Sequence, residues 1–257
     1  MDSNKVPISV VLIVKNEEAN LSECLESVKW AKEIVIVDGG STDKTVQIAK
    51  HYTDKILVRE MDVEGRHRNF AYQQASCHWL LSLDADERVS PELALEISRA
   101  VIQNDPDLVG HAIPIKTFIG KRWIKKAGYY PARKLRMYQK GKFRYEETAV
   151  HPRAYLDGRE QPLKGDILHY GYRNFAHFIE KFNHQTSLEA EKWAGDSRTI
   201  SAMKILWKSV DRFSRNYFGK QGFQDGFMGF VMSVFHGLYQ LLTYAKYLES
   251  KNDVPKN

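Results

Sequence analysis

Residues 79–86 read Trp79-Leu80-Leu81-Ser82-Leu83-Asp84-Ala85-Asp86, an apolar run that ends in two carboxylates. Such a run is typical of a buried strand. Asp84 and Asp86 lie two positions apart, so their side chains point the same way from the strand end. Hard cations such as Mg²⁺ and Mn²⁺ prefer oxygen ligands and often complete their shell with substrate phosphates. The stretch therefore predicts a metal site for a phosphate-bearing substrate, although an acidic pair taken alone is more often a solvated turn.

Strand and helix patterns alternate upstream of this run. Strands are predicted over 8–14, 33–37 and 56–58, and helices over 20–29, around 46–49 and over 65–76. This alternation predicts a mostly parallel α/β sheet, in which ligands bind beyond the carboxyl ends of the strands. The polar segments 15–18, 38–43 and 84–86 would then share one edge of the sheet.

Four short motifs occur in order at these positions: Val14-Lys15-Asn16-Glu17-Glu18, Val37-Asp38-Gly39-Gly40-Ser41-Thr42-Asp43, Gly65-Arg66-His67-Arg68-Asn69 and Asp84-Ala85-Asp86. Over about the first hundred residues this set resembles the nucleotide-sugar half of inverting family 2 glycosyltransferases. Their GT-A fold is a Rossmann-like, mostly parallel sheet flanked by helices. The second and fourth motifs are similar to the bacterial branch that includes lipopolysaccharide core β-glucosyltransferases. The resemblance implies sugar transfer from a nucleotide diphosphate donor with inversion at the anomeric carbon.

The resemblance also implies roles for single residues. Asp38 would accept a hydrogen bond from a uracil-like base, Glu18 would help to fix the base or ribose, and Arg68 would approach the diphosphate or base. Asp84 would lie near the ribose and metal, and Asp86 would ligate Mn²⁺ or Mg²⁺, which neutralises charge on the departing nucleotide. Taken singly, each residue also fits an ordinary turn or surface position. The whole implied nucleotide-sugar set is Val14, Asn16, Glu18, Asp38, Gly40, Arg66, Arg68, Asp84 and Ala85.

An inverting transferase needs a general base to take the proton of the acceptor hydroxyl. Residues 143–152 resemble the family segment that supplies it, often with a Val-His-Glu pattern, but Pro152 stands where that Glu would be. Glu147 is the first candidate for the base and Glu146 the second, and His151 would orient either of them or contact the acceptor. The alternative is that both glutamates are strand-edge acids.

A late strand is predicted over 163–170. It resembles the family strand that ends in a histidine, and His169 matches that position. The resemblance implies that His169 returns to the metal or diphosphate, as a third metal ligand beside Asp84 and Asp86. A hydrogen-bonded polar role without any ligand is the alternative.

The middle of the chain is strongly basic. Residues 116–142 contain ten Lys or Arg residues and no Asp or Glu, interleaved with aromatic residues, in a chain of net charge +6. We interpret this stretch as a mobile loop region that handles phosphate groups of donor, acceptor or lipid headgroups, with a solvated face as the alternative. No nucleic-acid motif accompanies it, so no nucleic-acid partner is expected.

Three helical segments are predicted near the C-terminus. The helix over 174–193 is amphipathic, that over 200–217 is amphipathic and basic, and residues 226–245 contain no charged side chain. Glycines, His236 and Gln240 weaken the last segment as a membrane span. We expect a peripheral helical region that contacts a membrane surface or the acceptor, with core or dimer packing and a true span as alternatives.

The predicted organisation is a GT-A catalytic domain over 1–172, a helical region over 173–250 and a tail over 251–257. The catalytic domain would divide into a nucleotide-sugar half, 1–100, and an acceptor half, 101–172. No secretory signal is visible, and Cys24 and Cys77 need no disulfide, which favours the cytoplasm.

The sequence thus predicts a metal-dependent inverting glycosyltransferase, peripheral on the cytoplasmic face of a bacterial inner membrane. It would use a nucleotide diphosphate sugar, with UDP favoured, and a lipid-linked or lipooligosaccharide core acceptor. One alternative is a polyprenyl-phosphate glycosyltransferase, whose phosphate acceptor needs no strong base. Another is a non-catalytic nucleotide-sugar-binding or assembly protein, an option that Pro152 keeps open.

Overall fold

The computed structural model describes residues 5–147, 153–196 and 200–252. The chain forms two compact units, one of residues 1–115 and 133–169 and one of residues 116–132 and 170–257. The first unit ends three residues before the predicted boundary at 172. Residues 116–132, from the basic stretch, belong to the second unit together with the C-terminal helices.

Four parallel strands form the first half of the sheet: β1 (Val6–Val14), β2 (Ala31–Asp38), β3 (Ile56–Val58) and β4 (Trp79–Leu83). β1 pairs with β2 on one side and with β4 on the other, and β2 also pairs with β3. Leu12 lies opposite Leu83, and Val14 lies opposite Asp38. The carboxyl ends of the strands therefore meet at one edge, as the predicted α/β fold requires.

Four helices follow these strands: α1 (Leu21–Glu26), α2 (Thr45–Ala49), α3 (Glu64–Gln74) and α4 (Pro91–Gln103). The ends of α4 are set by its sequence. The Ser90 hydroxyl accepts a hydrogen bond from the Leu93 amide at 3.2 Å, Pro91 occupies the first turn, and Asn104 ends the helix in a left-handed conformation with φ of 42°.

The apolar core lies on both faces of β1. Val10 and Leu12 pack into one buried cluster with Leu21 and Ile97, whereas Val11 packs into another that contains Tyr72. The two-residue period of a strand sends alternate side chains to opposite faces, which is why one short apolar run enters both clusters.

Eight further strands follow: β5 (Glu87–Val89), β6 (Leu108–Ile119), β7 (Arg122–Trp123), β8 (Ala132–Gln139), β9 (Phe143–Tyr145), β10 (Ala154–Leu156), β11 (Arg159–Pro162) and β12 (Ile167–Tyr172). The main sheet has the order β3-β2-β1-β4-β8-β6-β12-β5, with β7 and β11 also paired to β6. β8 is antiparallel to β4, and β12 is antiparallel to β5. β9 and β10 form a separate two-stranded antiparallel sheet.

The prediction of a mobile loop region over 116–142 is wrong. The end of β6, all of β7 and all of β8 lie in it. The strand β8 forms despite its cations because Met137 and Tyr138 are buried in the two core clusters. β12 also continues past His169 to Tyr172, so the strand does not end at the histidine.

The second unit contains α5 (Phe175–Gly195), α6 (Ala202–Ser214) and α7 (Gly226–Asn252), which confirms the predicted helical C-terminal region. The Asn174 side chain caps α5 by accepting a hydrogen bond from the His177 amide at 2.9 Å. Phe178 and Phe182 of α5 pack edge-on against Phe235 of α7. Among the described residues, none of the helices combines the length and the hydropathy that a membrane span needs.

Candidate active site

A cleft of about 510 Å³ lies at the carboxyl edge of the parallel strands. It gathers residues from β1, α3 and β12, and from the segments that follow β1, precede α3 and follow β4. Six of the residues predicted from sequence line it: Val14, Arg68, Asp84, Ala85, Asp86 and His169. Of the other predicted residues that the structure describes, none lines this cleft.

Asp84 is held between two arginines. Its Oδ1 lies 3.0 Å from Nη2 of Arg68, and its Oδ2 lies 2.7 Å from Nη2 of Arg136. Burial opposes ionisation, but Arg136 and Arg68 hold the pKa of Asp84 well below its usual range. Both carboxylate oxygens are therefore occupied by guanidinium groups.

Arg136 and Glu87 complete this buried charge cluster, and neither was predicted from the sequence. The Nη2 of Arg136 donates to Oε1 of Glu87 at 2.6 Å, and the Asp84 amide donates to Oε2 of Glu87 at 3.0 Å. The Arg136 and Glu87 side chains are only 5% and 2% exposed. Burial raises the pKa of Glu87, and Arg136 opposes that shift. Arg136 is one of ten cations in the basic stretch, and nothing in its spacing distinguishes it.

The Asp86 and His169 side chains face each other. Oδ2 of Asp86 lies 3.5 Å from Nε2 of His169, in line with their predicted closeness. Within the described residues, however, no three His, Cys, Asp or Glu side chains are grouped to hold a metal. The predicted set of Asp84, Asp86 and His169 is therefore not assembled, because Asp84 is turned to its arginines. One carboxylate and one imidazole still fit a cation that takes its other ligands from a diphosphate and water.

The first two motifs form a hydrogen-bonded network at the ends of β1 and β2. Asp38 is buried and accepts hydrogen bonds from the Gly40 amide at 3.1 Å and from the Ser41 amide at 3.0 Å. The Asn16 Oδ1 accepts from the Thr42 amide at 2.8 Å, and the Glu18 Oε2 accepts from the Lys44 amide at 3.1 Å. These side chains thus fix the loop backbones, and their contact with a nucleotide stays a prediction.

Helix α3 is docked on the segment that carries the candidate bases. Asn69 exchanges two hydrogen bonds with the Tyr145 backbone, donating to the carbonyl at 2.9 Å and accepting from the amide at 2.8 Å. A Cβ on Gly65 would lie 1.9 Å from the Glu146 carbonyl oxygen, so only glycine permits this close approach. The Gly65-to-Asn69 motif therefore positions the end of β9 as well as supplying Arg68 to the cleft.

The candidate bases lie beside this contact. Glu147 is about half exposed, and its Oε2 lies 3.2 Å from Nε of Arg66. Glu147 lines a different cavity, of about 390 Å³, together with Asn69 and Tyr145. The Glu146 amide donates to the Arg153 carbonyl at 2.8 Å, as the backbone of a strand-edge residue does. His151 lies outside the described residues.

Known proteins resemble this chain over different lengths. The family model described as glycosyl transferase family 2 matches residues 9–157. The lipopolysaccharide core biosynthesis glycosyltransferase LpsC of Rhizobium meliloti is 28% identical over 94% of this chain and 92% of its own length.

Two solved structures are less similar to this chain. TarS 1–349 of S. aureus superposes with a TM-score of 0.46 and 16% identity, covering 97% of this chain and 93% of that one. Glucosyl-3-phosphoglycerate synthase of Mycobacterium tuberculosis, in complex with Mg²⁺ and UDP, has a TM-score of 0.35 and 20% identity. That superposition covers 44% of this chain and 43% of the synthase.

Proposed function

The chain belongs to glycosyl transferase family 2, and from this membership we propose that it moves a sugar from a nucleotide diphosphate donor to a lipooligosaccharide core or other lipid-linked acceptor, with inversion. It is a glycosyltransferase with the GT-A fold. The observation that carries the proposal of a nucleotide diphosphate donor is the cleft at the strand edge, which Arg68, Asp86 and His169 line together. The likeness to LpsC along nearly the whole chain supports a core saccharide as the acceptor.

The donor diphosphate would bind in the 510 Å³ cleft. Arg68 is anchored there by Glu64 at 3.0 Å and by Asp84 at 3.0 Å, so its guanidinium is held in place before any ligand arrives. Burial opposes its charge, but Asp84 raises the pKa of Arg68 above its ordinary value. A fixed guanidinium is a suitable partner for phosphate oxygens. UDP is the favoured nucleotide.

Asp86 and His169 would hold a Mn²⁺ or Mg²⁺ ion, with the donor's phosphates as further ligands. When bound, such an ion neutralises the charge that develops on the departing nucleotide diphosphate. We assign Asp84 a different role from the one implied by the resemblance. With both oxygens paired to arginines, it orients Arg68 and Arg136 at the back of the cleft.

Glu147 is the proposed general base. It would take the proton of the acceptor hydroxyl as that oxygen bonds to the anomeric carbon, while the bond from this carbon to the diphosphate oxygen breaks. Its carboxylate is accessible, and its backbone follows the Asn69 contact that fixes Tyr145. Glu146 is the second candidate, and His151 would orient either glutamate or contact the acceptor.

Peripheral binding to the cytoplasmic face of the inner membrane completes the proposal. Helix α6 turns Met203, Leu206, Trp207 and Val210 outward, and these four residues form what we call the α6 apolar face. Trp207 is 70% exposed, and Lys204 and Lys208 lie on the same helix. Apolar side chains between cations are the pattern of a helix that lies on an anionic lipid surface.

The direct test is a transfer assay on the purified full chain. It would be incubated with Mn²⁺, a panel of UDP- and GDP-sugars, and either deacylated lipooligosaccharide core or polyprenyl phosphate. We expect one donor to add a single sugar to the core acceptor, detected by mass spectrometry. A product formed only on polyprenyl phosphate would contradict the proposed acceptor, and donor binding without any turnover would point to a non-catalytic protein.

A further inference from the structure

The second unit contains a cavity of about 240 Å³ that the donor chemistry does not use. Its volume is below the roughly 300 Å³ at which pockets for drug-sized ligands begin, so it suits a single ring. The walls are aromatic side chains from α5, α7 and the neighbouring segments: Tyr129, Tyr172, Phe178, Phe182, Phe235 and Tyr239. We call it the aromatic cavity.

His236 is the polar group inside the aromatic cavity. Its ring donates a hydrogen bond to the Ala127 carbonyl, and its Nε2 is buried without a hydrogen-bond partner in the part of the chain that the structure describes. Burial, together with the nearby charges of Lys220 and Arg212, lowers the pKa of His236 to about 4. The imidazole is therefore neutral near pH 7, with its proton on Nδ1. Nε2 is left as a hydrogen-bond acceptor.

Two more polar side chains lie at the mouth of the cavity. Gln185 and Arg212 both line it, and both are exposed. The guanidinium offers donors, and the amide offers a donor and an acceptor. The site thus combines flat aromatic walls, three of them tyrosines, with the His236 acceptor inside and donors at the mouth.

This combination selects among ligand classes. A hydrocarbon chain would fit the walls but would leave Nε2 buried and unsatisfied. A carboxylate or phosphodiester would suit Arg212 but has no O–H with which to donate a hydrogen bond to Nε2. A sugar ring presents C–H groups to aromatic faces, and its hydroxyls donate to Nε2 and accept from Arg212.

We propose that the aromatic cavity binds one pyranose ring of a saccharide. Its assignment as a ring of the acceptor glycan rests on the proposed function. The cavity would then contribute to acceptor choice. All of its lining residues except Tyr129 lie outside residues 9–157, the part of the chain that the family model matches.

Saturation-transfer NMR on the full chain tests this, with methyl glycosides of glucose, galactose, mannose and N-acetylglucosamine as probes and no nucleotide or metal present. We expect ring-proton signals from at least one glycoside. His236→Phe keeps an aromatic ring but removes the acceptor, and it should weaken binding about tenfold. His184→Ala is the control, because His184 is exposed on α5 and does not line the cavity. If His236→Phe does not fold, glycoside binding to Arg212→Gln, a variant at the exposed mouth of the cavity, tests the same inference.

Absence of saturation transfer to every glycoside would overturn the inference. It would also be overturned if decanol displaced the glycoside and bound His236→Phe as tightly as the wild type, because the site would then be a purely apolar one. Glycosyl transfer without glycoside binding would remove only this inference. Glycoside binding without glycosyl transfer would remove only the proposed function and leave a saccharide-binding cavity.

Discussion

The Nη2 of Arg136 lies 2.7 Å from Oδ2 of Asp84, so a buried strand cation neutralises the first carboxylate of the acidic pair. The same nitrogen lies 2.6 Å from Oε1 of Glu87. This arrangement separates the two aspartates by role. Asp84 is committed to arginines, whereas Asp86 faces His169 and the cleft.

We expect Arg136→Met to destabilise the protein by about 3–5 kcal/mol, because it leaves the buried Glu87 without its cation and removes one of the two guanidinium groups from Asp84. Urea unfolding measures this loss. Arg133→Met is the matched control, since Arg133 is an exposed cation on the same strand and its loss should change stability by less than about 0.5 kcal/mol. Equal stability of the two variants would show that the cluster contributes nothing to the fold.

Sequence patterns were sufficient for the first half of the sheet but not for this cluster. The strands around Leu12 and Leu83 were predictable because short, continuous apolar runs between helical patterns are typical of buried parallel strands. The role of Arg136 was not predictable. Arg136 and Asp84 are 52 positions apart in the sequence, and the local spacing of residues does not reveal such a pairing. The sequence also left open whether Asp38 serves a turn or a ligand site, because both favour an aspartate at that position.

Asn69→Ala should lower kcat about 10- to 100-fold by releasing Tyr145 and, with it, the proposed base segment. The KM for the donor should stay within a factor of about two, because Arg68 and Asp84 keep their contacts in the cleft. Steady-state kinetics separate the two effects. Gln73→Ala, exposed one turn later on α3, serves as the control. An unchanged kcat in Asn69→Ala would show that the contact between α3 and Tyr145 does not support catalysis.

Glu33→Gln should cost about 1–2 kcal/mol of stability at pH 7, after allowance for partial exposure of the pair. Burial opposes ionisation, but hydrogen bonds from Lys55, Ser76 and Ser9 lower the pKa of Glu33 from 4.5 to about 2. A depressed carboxyl pKa stabilises the fold fully above the unfolded value. That contribution is lost as the pH falls from 4.5 towards about 2.

Thermal unfolding across this pH range measures the difference between Glu33→Gln and the wild type. The gap should be constant at neutral pH and close in acid. Glu60→Gln, at an exposed position, should show no such gap. A Glu33→Gln deficit that persisted unchanged at pH 2 would mean that the lost stability is not electrostatic.

Trp207→Ser should weaken binding to anionic phosphatidylglycerol vesicles about tenfold, because it removes the largest side chain of the α6 apolar face. Sedimentation with vesicles measures the bound fraction. Val58→Ser is the control, since Val58 is 72% exposed but lies on β3, in the other unit. Equal sedimentation of Trp207→Ser and the wild type would contradict membrane contact through this face.

The proposed function depends on a metal-dependent donor site built on Asp86, which calorimetric titration can detect. Wild type, Asp86→Asn and Asp62→Asn would each be titrated with UDP-glucose, UDP-galactose, UDP-N-acetylglucosamine and GDP-mannose, with and without Mn²⁺. Asp62 lines the same cleft but is paired with Arg66, so its variant is the control. We predict Mn²⁺-dependent binding of one UDP-sugar that Asp86→Asn abolishes and Asp62→Asn retains. Donor binding that needs no metal and survives in Asp86→Asn would show that Asp86 does not hold a metal for the donor.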